Sequence, residues 1–274
     1  MVNNPLIHPN HGSDKMFNNE QSVEECDATE ASFLFYSRFP KFSFPSYLSC
    51  MLEPQTLKFL SGLKKNNNRE WFEKHRPQYE AAKIDFQNFI QLVIDDFGRK
   101  DLSIAGNIAR NCVFRINRDI RFSKDKTPYK TNLGASITKG GRKSPLAGYY
   151  FQCEPGNSFI AGGLWMPEKD NLKKARQEID YNWEEFQSIL KEKKFKTTYK
   201  DLYKGKDISL ANMPKGYEKD HPAIEYLKLK SFIAETKIDD ADLTKATLHK
   251  KTVAAFEALQ PLIYFINRAL DSSD

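Results

Sequence analysis

The sequence lacks the short patterns that mark the common nucleotide and zinc-protease sites. It contains no GxGxxG, no GxxxxGKS/T and no HExxH, which excludes the familiar phosphate-binding loops and metalloprotease helices. Its histidines are dispersed, so no histidine-based metal centre is predicted. They are His8, His11, His75, His221 and His249. His221 is the best placed of them for proton transfer, and a histidine packed in a turn is the alternative.

Long apolar runs and paired cysteines are missing as well. No stretch of about 18 apolar residues is present, which excludes a membrane-spanning helix. Residues 1–14 lack a basic segment followed by an apolar one, so we expect no secretory signal, a cytoplasmic location and no membrane partner. The four cysteines show no CxxC spacing, which argues against a disulfide framework or a zinc site. Cys112 and Cys153 are expected to be buried thiols.

Positive charge is concentrated in the middle of the chain. Between Arg110 and Lys143 there are ten lysines and arginines against only Asp119 and Asp125, a local balance of +8. The whole chain is +6, so everything else sums to −2. Clustered guanidinium groups repel one another unless an anion offsets them. The stretch therefore predicts a partner that carries phosphate or carboxylate groups.

Residues 1–50 differ in composition from the rest of the chain. They are rich in Asn, Ser, Glu and Pro, and then show an aromatic run at 33–47 without helical or strand period. We interpret them as a poorly ordered extension or a misassigned start, with Met51 as an alternative start. The other interpretation is that the aromatic run packs onto the domain. Residues 51–270 are predicted to form a single domain.

Helical patterns stand at both ends of this domain. Leucines at helical spacing predict a first helix over 54–63, and Asn68 is suited to cap a second one. Pro77 is expected to kink or restart that helix, and His75 is expected to pack against it. Further helices are predicted after Pro167 and over 243–270, the last bent at Pro261.

Alternating apolar and polar residues predict strands between these helices. The predicted strands are 112–120, 133–137, 149–153 and 158–165, with one more strand or short helix near 226–233. Pro155 and Gly156 fit a type II turn that joins two of the strands. The fold class predicted is α+β, with a mainly antiparallel sheet of four or more strands flanked by N-terminal and C-terminal helices.

The basic stretch is expected to line a binding pocket. In an extended chain Arg115 and Arg121 project from one face, while Arg118 lies among apolar neighbours and needs a partner, for which Asp119 and Glu154 are candidates. The alternating small residues at 132, 134 and 136 leave room for a ligand, over which the loop 139–143 is expected to fold. The predicted ligand-binding residues are Arg115, Arg118, Asp119, Arg121, Lys126, Tyr129 and Lys130.

Four hypotheses are compatible with this stretch. The favoured one is the binding of a phosphate-bearing or other anionic small molecule. A second is a metal-assisted enzyme acting on a phosphate ester or nucleic acid, in which Asp119 and either Asp125 or Glu154 hold the metal. A third is sequence-independent nucleic-acid binding, with Phe122, Tyr129, Tyr149 and Tyr150 as stacking surfaces. The fourth is an ion-pair network with a purely structural role. No particular cofactor is implied.

The same stretch carries the pattern Arg-x-x-Arg-Asp-x-Arg-Phe, followed by Asp-Lys and Tyr-Lys, and it resembles the bacterial and fungal domain-of-unknown-function family twenty-four sixty-one. The matching residues are Arg115, Arg118, Asp119, Arg121, Phe122, Asp125, Lys126, Tyr129 and Lys130. Similar motifs stand at 66–72, 162–167, 214–217 and 220–222. The resemblance covers about 51–270 and leaves residues 1–50 outside it. It implies no established activity, substrate or cofactor.

Overall fold

The computed structural model describes residues Cys50–Asp271. Apart from Cys50, the extension predicted for residues 1–50 lies outside the described residues, and so does its aromatic run. Within the described range the chain forms ten helices and four strands. Helices precede and follow the block that contains most of the strands, which confirms the predicted α+β class.

The first helices form as the capping and proline signals predict. They are α1 (Pro54–Lys65), α2 (Arg69–Lys74), α3 (Arg76–Phe97) and the short α4 (Ala109–Cys112). The Asn68 side chain accepts a hydrogen bond from the backbone N–H of Trp71 at 2.9 Å, which caps α2. Pro77 lies in the first turn of α3, so the helix restarts there. Between the two helices His75 stacks on Trp71, with ring centroids 3.9 Å apart, and is a packed histidine as expected.

Loss of this cap gives a first prediction. Asn68→Ala is expected to lower the free energy of unfolding by about 1 kcal/mol, because the N–H of Trp71 loses its acceptor. Urea denaturation followed by circular dichroism measures the change. Asn68→Asp keeps an oxygen acceptor at the cap and is expected to unfold within about 0.5 kcal/mol of the native protein. Equal losses in both variants would contradict this role for Asn68.

The four strands form one antiparallel sheet in the order β1-β2-β3-β4. They are β1 (Leu133–Ile137), β2 (Gly148–Cys153), β3 (Ser158–Leu164) and β4 (Phe232–Ile238). Between β2 and β3 the N–H of Asn157 donates to the Glu154 carbonyl at 2.8 Å, and Gly156 has φ +80°, so the predicted turn is present. The element expected near 226–233 is a short helix followed by the start of β4.

One face of the sheet packs on α3 and on the C-terminal helix. The helices after β3 are α5 (Lys169–Tyr181), α6 (Trp183–Lys191), α7 (Lys193–Tyr199), α8 (Ile224–Leu227), α9 (Asp240–Leu243) and α10 (Leu248–Leu270). The ring of Phe151 in β2 lies 5.0 Å from that of Phe89 in α3, between centroids. A Cβ at Gly162 would lie 2.7 Å from a methyl group of Leu259 in α10, so this glycine lets helix and sheet approach closely. Cys112 and Cys153 are buried, as predicted.

The strand predicted over 112–120 is wrong. Cys112 ends α4, and the residues after it make only isolated bridges, Val113 with Ala135 and Asn117 with Tyr129. The segment pairs briefly with β1 and then with residues that return from the following loop, so no continuous ladder forms. The expected alternation of faces is still present, since Arg115 is exposed and Ile116 is buried.

Candidate functional site

Residues 117–129 form a closed loop, here called the basic loop. The Asn117–Tyr129 bridge and a 2.9 Å hydrogen bond from the Arg118 N–H to the Pro128 carbonyl join its two ends. Five of the seven residues predicted to bind a ligand lie in this loop: Arg118, Asp119, Arg121, Lys126 and Tyr129. Their side chains or backbones make contacts within the protein. Much of this charge therefore stabilises the conformation of the loop.

Arg118 holds the two arms of the basic loop together. Its guanidinium pairs with Asp125 and donates to the Thr127 hydroxyl and, at 3.2 Å, to the Thr127 carbonyl. Hydrogen bonds from Thr127, reinforced by Arg118, lower the pKa of Asp125 to about 2. The need for a carboxylate at Arg118 was predicted correctly, but the two candidate partners were wrong. Asp125 becomes the partner because the loop folds back on itself.

Three further charged residues of the basic loop, Asp119, Arg121 and Lys126, also have partners within the loop. Arg121 donates to both carboxylate oxygens of Asp119, at 3.0 and 2.6 Å, and these bonds lower the pKa of Asp119. Lys126 donates to the Ile120 carbonyl at 3.0 Å. The Asp119–Arg121 pair is exposed to solvent, where such a pair adds little stability. Asp119 therefore pairs with Arg121, and not with Arg118 as expected.

Tyr129 anchors the end of the basic loop. Its ring is 5% exposed and stacks on Phe72 with centroids 4.0 Å apart. The Asn67 side chain makes two bonds with the backbone of Tyr129: its amide N–H donates to the carbonyl at 2.9 Å, and its oxygen accepts from the N–H at 3.1 Å. These contacts support a structural role for Tyr129, which was predicted to bind the ligand.

The remaining two predicted residues lie beside Phe114 together with an arginine from the loop between β1 and β2. We call Phe114, Arg115, Lys130 and Arg142 the Phe114 cluster. Lys130 Nζ and Arg142 Cζ each lie 5.1 Å from the Phe114 ring centroid, a cation–π distance. Arg142 also donates to the Val113 carbonyl at 2.7 Å. Among residues 50–271, no carboxylate forms an ion pair with Arg115, Lys130 or Arg142.

The positive charges of the Phe114 cluster repel one another. The pKa of Lys130 is lowered, first by burial and then by the charges of Arg115 and Arg142. A nearby anion would have the opposite effect on this pKa. The cluster is therefore a local concentration of positive charge. Arg142 was not among the predicted ligand-binding residues, although its loop was expected to fold over the site.

The space expected above the small residues of β1 is filled by protein atoms. A Cβ at Gly134 would lie 2.4 Å from the Tyr150 hydroxyl. That hydroxyl donates to Gln152 at 2.9 Å, and Gln152 also accepts from Asn132 at 3.1 Å. Gly134 is thus required by the packing of Tyr150, and the prediction of ligand space on this face is wrong.

Arg142 also lines an open cleft. It has a volume of about 640 Å³ and lies between the α3–α4 connection and the β1–β2 loop. Its lining residues are Ser103, Gly106, Asn107, Ile108, Arg110, Asn111, Gly140, Gly141, Arg142 and Lys143. Three of them are cationic, none is acidic and none is aromatic. The basic stretch of the sequence contains all three cations, Arg110, Arg142 and Lys143. Their spacing in the sequence did not indicate that they line one cleft.

His221 is held by hydrogen bonds at both ring nitrogens. The N–H of Ala223 donates to Nδ1 at 3.1 Å, so Nε2 carries the hydrogen of the neutral ring and donates to Asp180 at 2.8 Å. With both nitrogens occupied, the ring fixes the turn 220–223 against α5. This geometry supports the packed turn histidine rather than a proton carrier.

The carboxylates of the metal hypothesis are engaged elsewhere. Glu154 accepts from the Thr131 hydroxyl at 2.7 Å and from the Gln152 amide at 3.0 Å, while Asp119 and Asp125 face their arginines. In the described part of the chain, no three His, Cys, Asp or Glu side chains gather into a group that could hold a metal ion. The geometry gives no support to a metal held by these carboxylates.

Comparison with known proteins places the chain in a family. None of the helices between Cys50 and Asp271 combines the length and apolar character needed to cross a bilayer. No curated protein and no solved structure matches the chain. The family model described as "Conserved hypothetical protein (DUF2461)" matches residues 55–265, in agreement with the resemblance carried by the basic stretch. The chain belongs to this family of conserved hypothetical proteins.

Proposed function

We propose that the protein binds a phosphate-bearing or other anionic small molecule at the Phe114 cluster. The supporting observation is the grouping of Arg115, Lys130 and Arg142, none of which forms an ion pair with a carboxylate among the residues that the structure describes. Arginine offers a planar fork that matches two phosphate oxygens, and lysine acts as a point charge. A bound phosphate would offset the repulsion from Arg115 and Arg142, which adds to burial in lowering the pKa of Lys130.

Partial burial makes this site more effective than the exposed basic loop. Lys130 and Arg142 are half-buried and flank Phe114, whereas Arg121 and Lys126 are exposed. Electrostatic attraction is stronger where less water surrounds the charges. In this proposal three residues contact the ligand: Arg115, Lys130 and Arg142. The other predicted residues shape the basic loop next to these contacts; they are Arg118, Asp119, Arg121, Lys126 and Tyr129. A cytoplasmic location remains a prediction from the sequence.

The nucleic-acid alternative keeps only part of its stacking surface. Phe122 is 95% exposed, with the Arg121 guanidinium 5.8 Å from its ring centroid. Tyr129 and Tyr149 are buried and Tyr150 is half-buried, so they offer no open row of rings for successive bases. One exposed ring is a weak basis for such a function. The geometry therefore favours a small anionic ligand.

Calorimetric titration with orthophosphate, sugar phosphates and nucleotides tests the proposal. We expect Arg115→Gln and Lys130→Met each to weaken binding by at least about 10-fold, because each removes a charge-assisted contact. Lys124→Gln is the matched control, since it removes a positive charge from the exposed tip of the basic loop. Binding that weakens equally in all three variants indicates non-specific attraction. Failure of every phosphate compound to bind the native protein overturns the proposal.

The pH dependence provides a second measurement on the same variants. The pKa of Lys130 lies below its usual value in the ligand-free protein, and a bound anion raises it. Affinity is therefore highest below the ligand-free pKa and declines as the pH rises toward the ligand-bound pKa. Lys130→Met is expected to lose this decline. It is also expected to be at least as stable as the native protein below the ligand-free pKa, since the charge that it removes opposes folding there.

A further inference from the structure

We infer that the cleft beside Arg142 holds the body of the ligand, and that this body is a sugar or a related polyol. The ligand is thus a sugar phosphate. This inference rests on the proposed function, because the phosphate group is assigned to the Phe114 cluster and Arg142 belongs to both places. Arg142 lines the cleft while its guanidinium lies 5.1 Å from the Phe114 ring centroid.

The charge of the cleft suits an anionic ligand. Arg110, Arg142 and Lys143 line it without any acidic residue. Arg110 and Lys143 are exposed, and neither forms an ion pair or a side-chain hydrogen bond within residues 50–271. Their charges add to those of the Phe114 cluster and extend the positive potential across both regions. An anion that enters the cleft is therefore attracted by the three cations of its lining.

The neutral lining suits hydroxyl groups. The Asn107 amide donates to the Thr138 carbonyl at 3.0 Å, which leaves its side-chain oxygen as an acceptor. The Asn111 side chain makes no hydrogen bond within the described range and offers both a donor and an acceptor. Gly140 and Gly141 have φ of +81° and +88° and bring backbone without side chains to the rim. Sugar hydroxyls both donate and accept, so they match this lining.

The size of the cleft and the absence of aromatic side chains from its lining limit the chemical class of the ligand further. A volume of about 640 Å³ lies within the usual range for small-molecule sites. No aromatic side chain lines it, so a nucleobase would find no stacking surface there. Ile108 is the largest apolar contact. These features favour a sugar phosphate over a nucleotide of similar charge.

Calorimetry with three probes tests this inference: orthophosphate, a hexose monophosphate and a nucleoside monophosphate. The native protein is expected to bind the hexose monophosphate at least about 10-fold more tightly than orthophosphate, since hydrogen bonds in the cleft add to those of the phosphate. Asn111→Leu is expected to remove about 10-fold of the affinity for the hexose monophosphate and to leave orthophosphate binding within about 2-fold. Asn212→Leu, an exposed asparagine outside the cleft, is the matched control.

Lys143→Gln in the exposed β1–β2 loop gives a second measurement should Asn111→Leu fail to fold, and it is expected to weaken the hexose monophosphate more than orthophosphate. Equal affinity of the native protein for these two probes overturns the inference and leaves the proposed function intact. The inference is likewise overturned if Asn111→Leu and Lys143→Gln both keep the native preference for the hexose monophosphate over orthophosphate. Tighter binding of the nucleoside monophosphate than of the hexose monophosphate overturns the ligand class. Absence of binding by all three probes overturns the proposed function as well.

Discussion

Gly163→Ala is expected to destabilise the protein by about 3–5 kcal/mol, a large share of the stability of a typical domain. Gly163 has φ +122°, a conformation that alanine rarely adopts. A Cβ at this position would lie 2.0 Å from the Phe232 carbonyl oxygen and 3.0 Å from the Ile233 Cα. Both obstacles are backbone atoms of β4, so relief requires β3 and β4 to move apart where they are paired.

Urea denaturation of Gly163→Ala and Gly106→Ala measures this effect with a matched control. A Cβ at Gly106 would meet no atom within 4 Å, and its φ lies outside the left-handed region. Gly106→Ala is therefore expected to change the free energy of unfolding by less than about 0.5 kcal/mol. A Gly163→Ala protein whose stability matches that of the control contradicts the close approach of β3 and β4.

The second large effect is expected at Asp101, which is fully buried. Its carboxylate accepts hydrogen bonds from the Tyr149 hydroxyl at 2.6 Å, the Tyr264 hydroxyl at 2.8 Å and the Ser103 N–H at 3.0 Å, together with the Ser103 hydroxyl at 2.6 Å. No lysine or arginine within Cys50–Asp271 pairs with it. Burial and this carboxylate raise the pKa of Tyr149 well above its usual value. Asp101 thus links the segment after α3 to β2 and α10 through neutral donors.

Asp101→Ala is expected to cost about 3–5 kcal/mol of stability, because it removes four hydrogen bonds and leaves the Tyr149 hydroxyl buried without an acceptor. Tyr264→Phe removes only one of these bonds at a side chain that is 46% exposed, so its expected cost is about 1 kcal/mol. Thermal and urea denaturation compare the two variants. Tyr149→Phe in the Asp101→Ala background is expected to recover part of the loss. Equal stability of Asp101→Ala and Tyr264→Phe would contradict this account.

Local signals in the sequence were sufficient to predict much of the fold. The cap at Asn68, the helix restart at Pro77 and the turn at Pro155 depend on neighbouring residues alone, and each is present. The strand predicted over 112–120 failed for a different reason. Alternating burial shows which side chains face the core, but a strand also needs one neighbouring strand that pairs with it along its length. Here the partner changes after Val113, from β1 to the residues around Tyr129.

The candidate site stays a prediction, and the structure adds to it the partners of its charged residues. Charge density singled out the basic stretch, but it could not show which charges are already paired. Arg118 pairs with Asp125 only because the loop closes on itself, whereas Arg115 and Lys130 form no ion pair in the described range. Arg142 joins them from the β1–β2 loop, at a place that depends on the β1–β2 pairing. Such long-range pairing is not visible in alternation or spacing.

The two bonds between Asn67 and the backbone of Tyr129 make the loop vulnerable to a small chemical change. The amide imitates a peptide group, since it donates to the carbonyl and accepts from the N–H of the same residue. Deamidation of Asn67 would replace the donating NH2 with an anionic oxygen and set it against the Tyr129 carbonyl. An attraction would become a repulsion without any change in side-chain size. Ageing of the purified protein could thus loosen one end of the basic loop with no mutation at all.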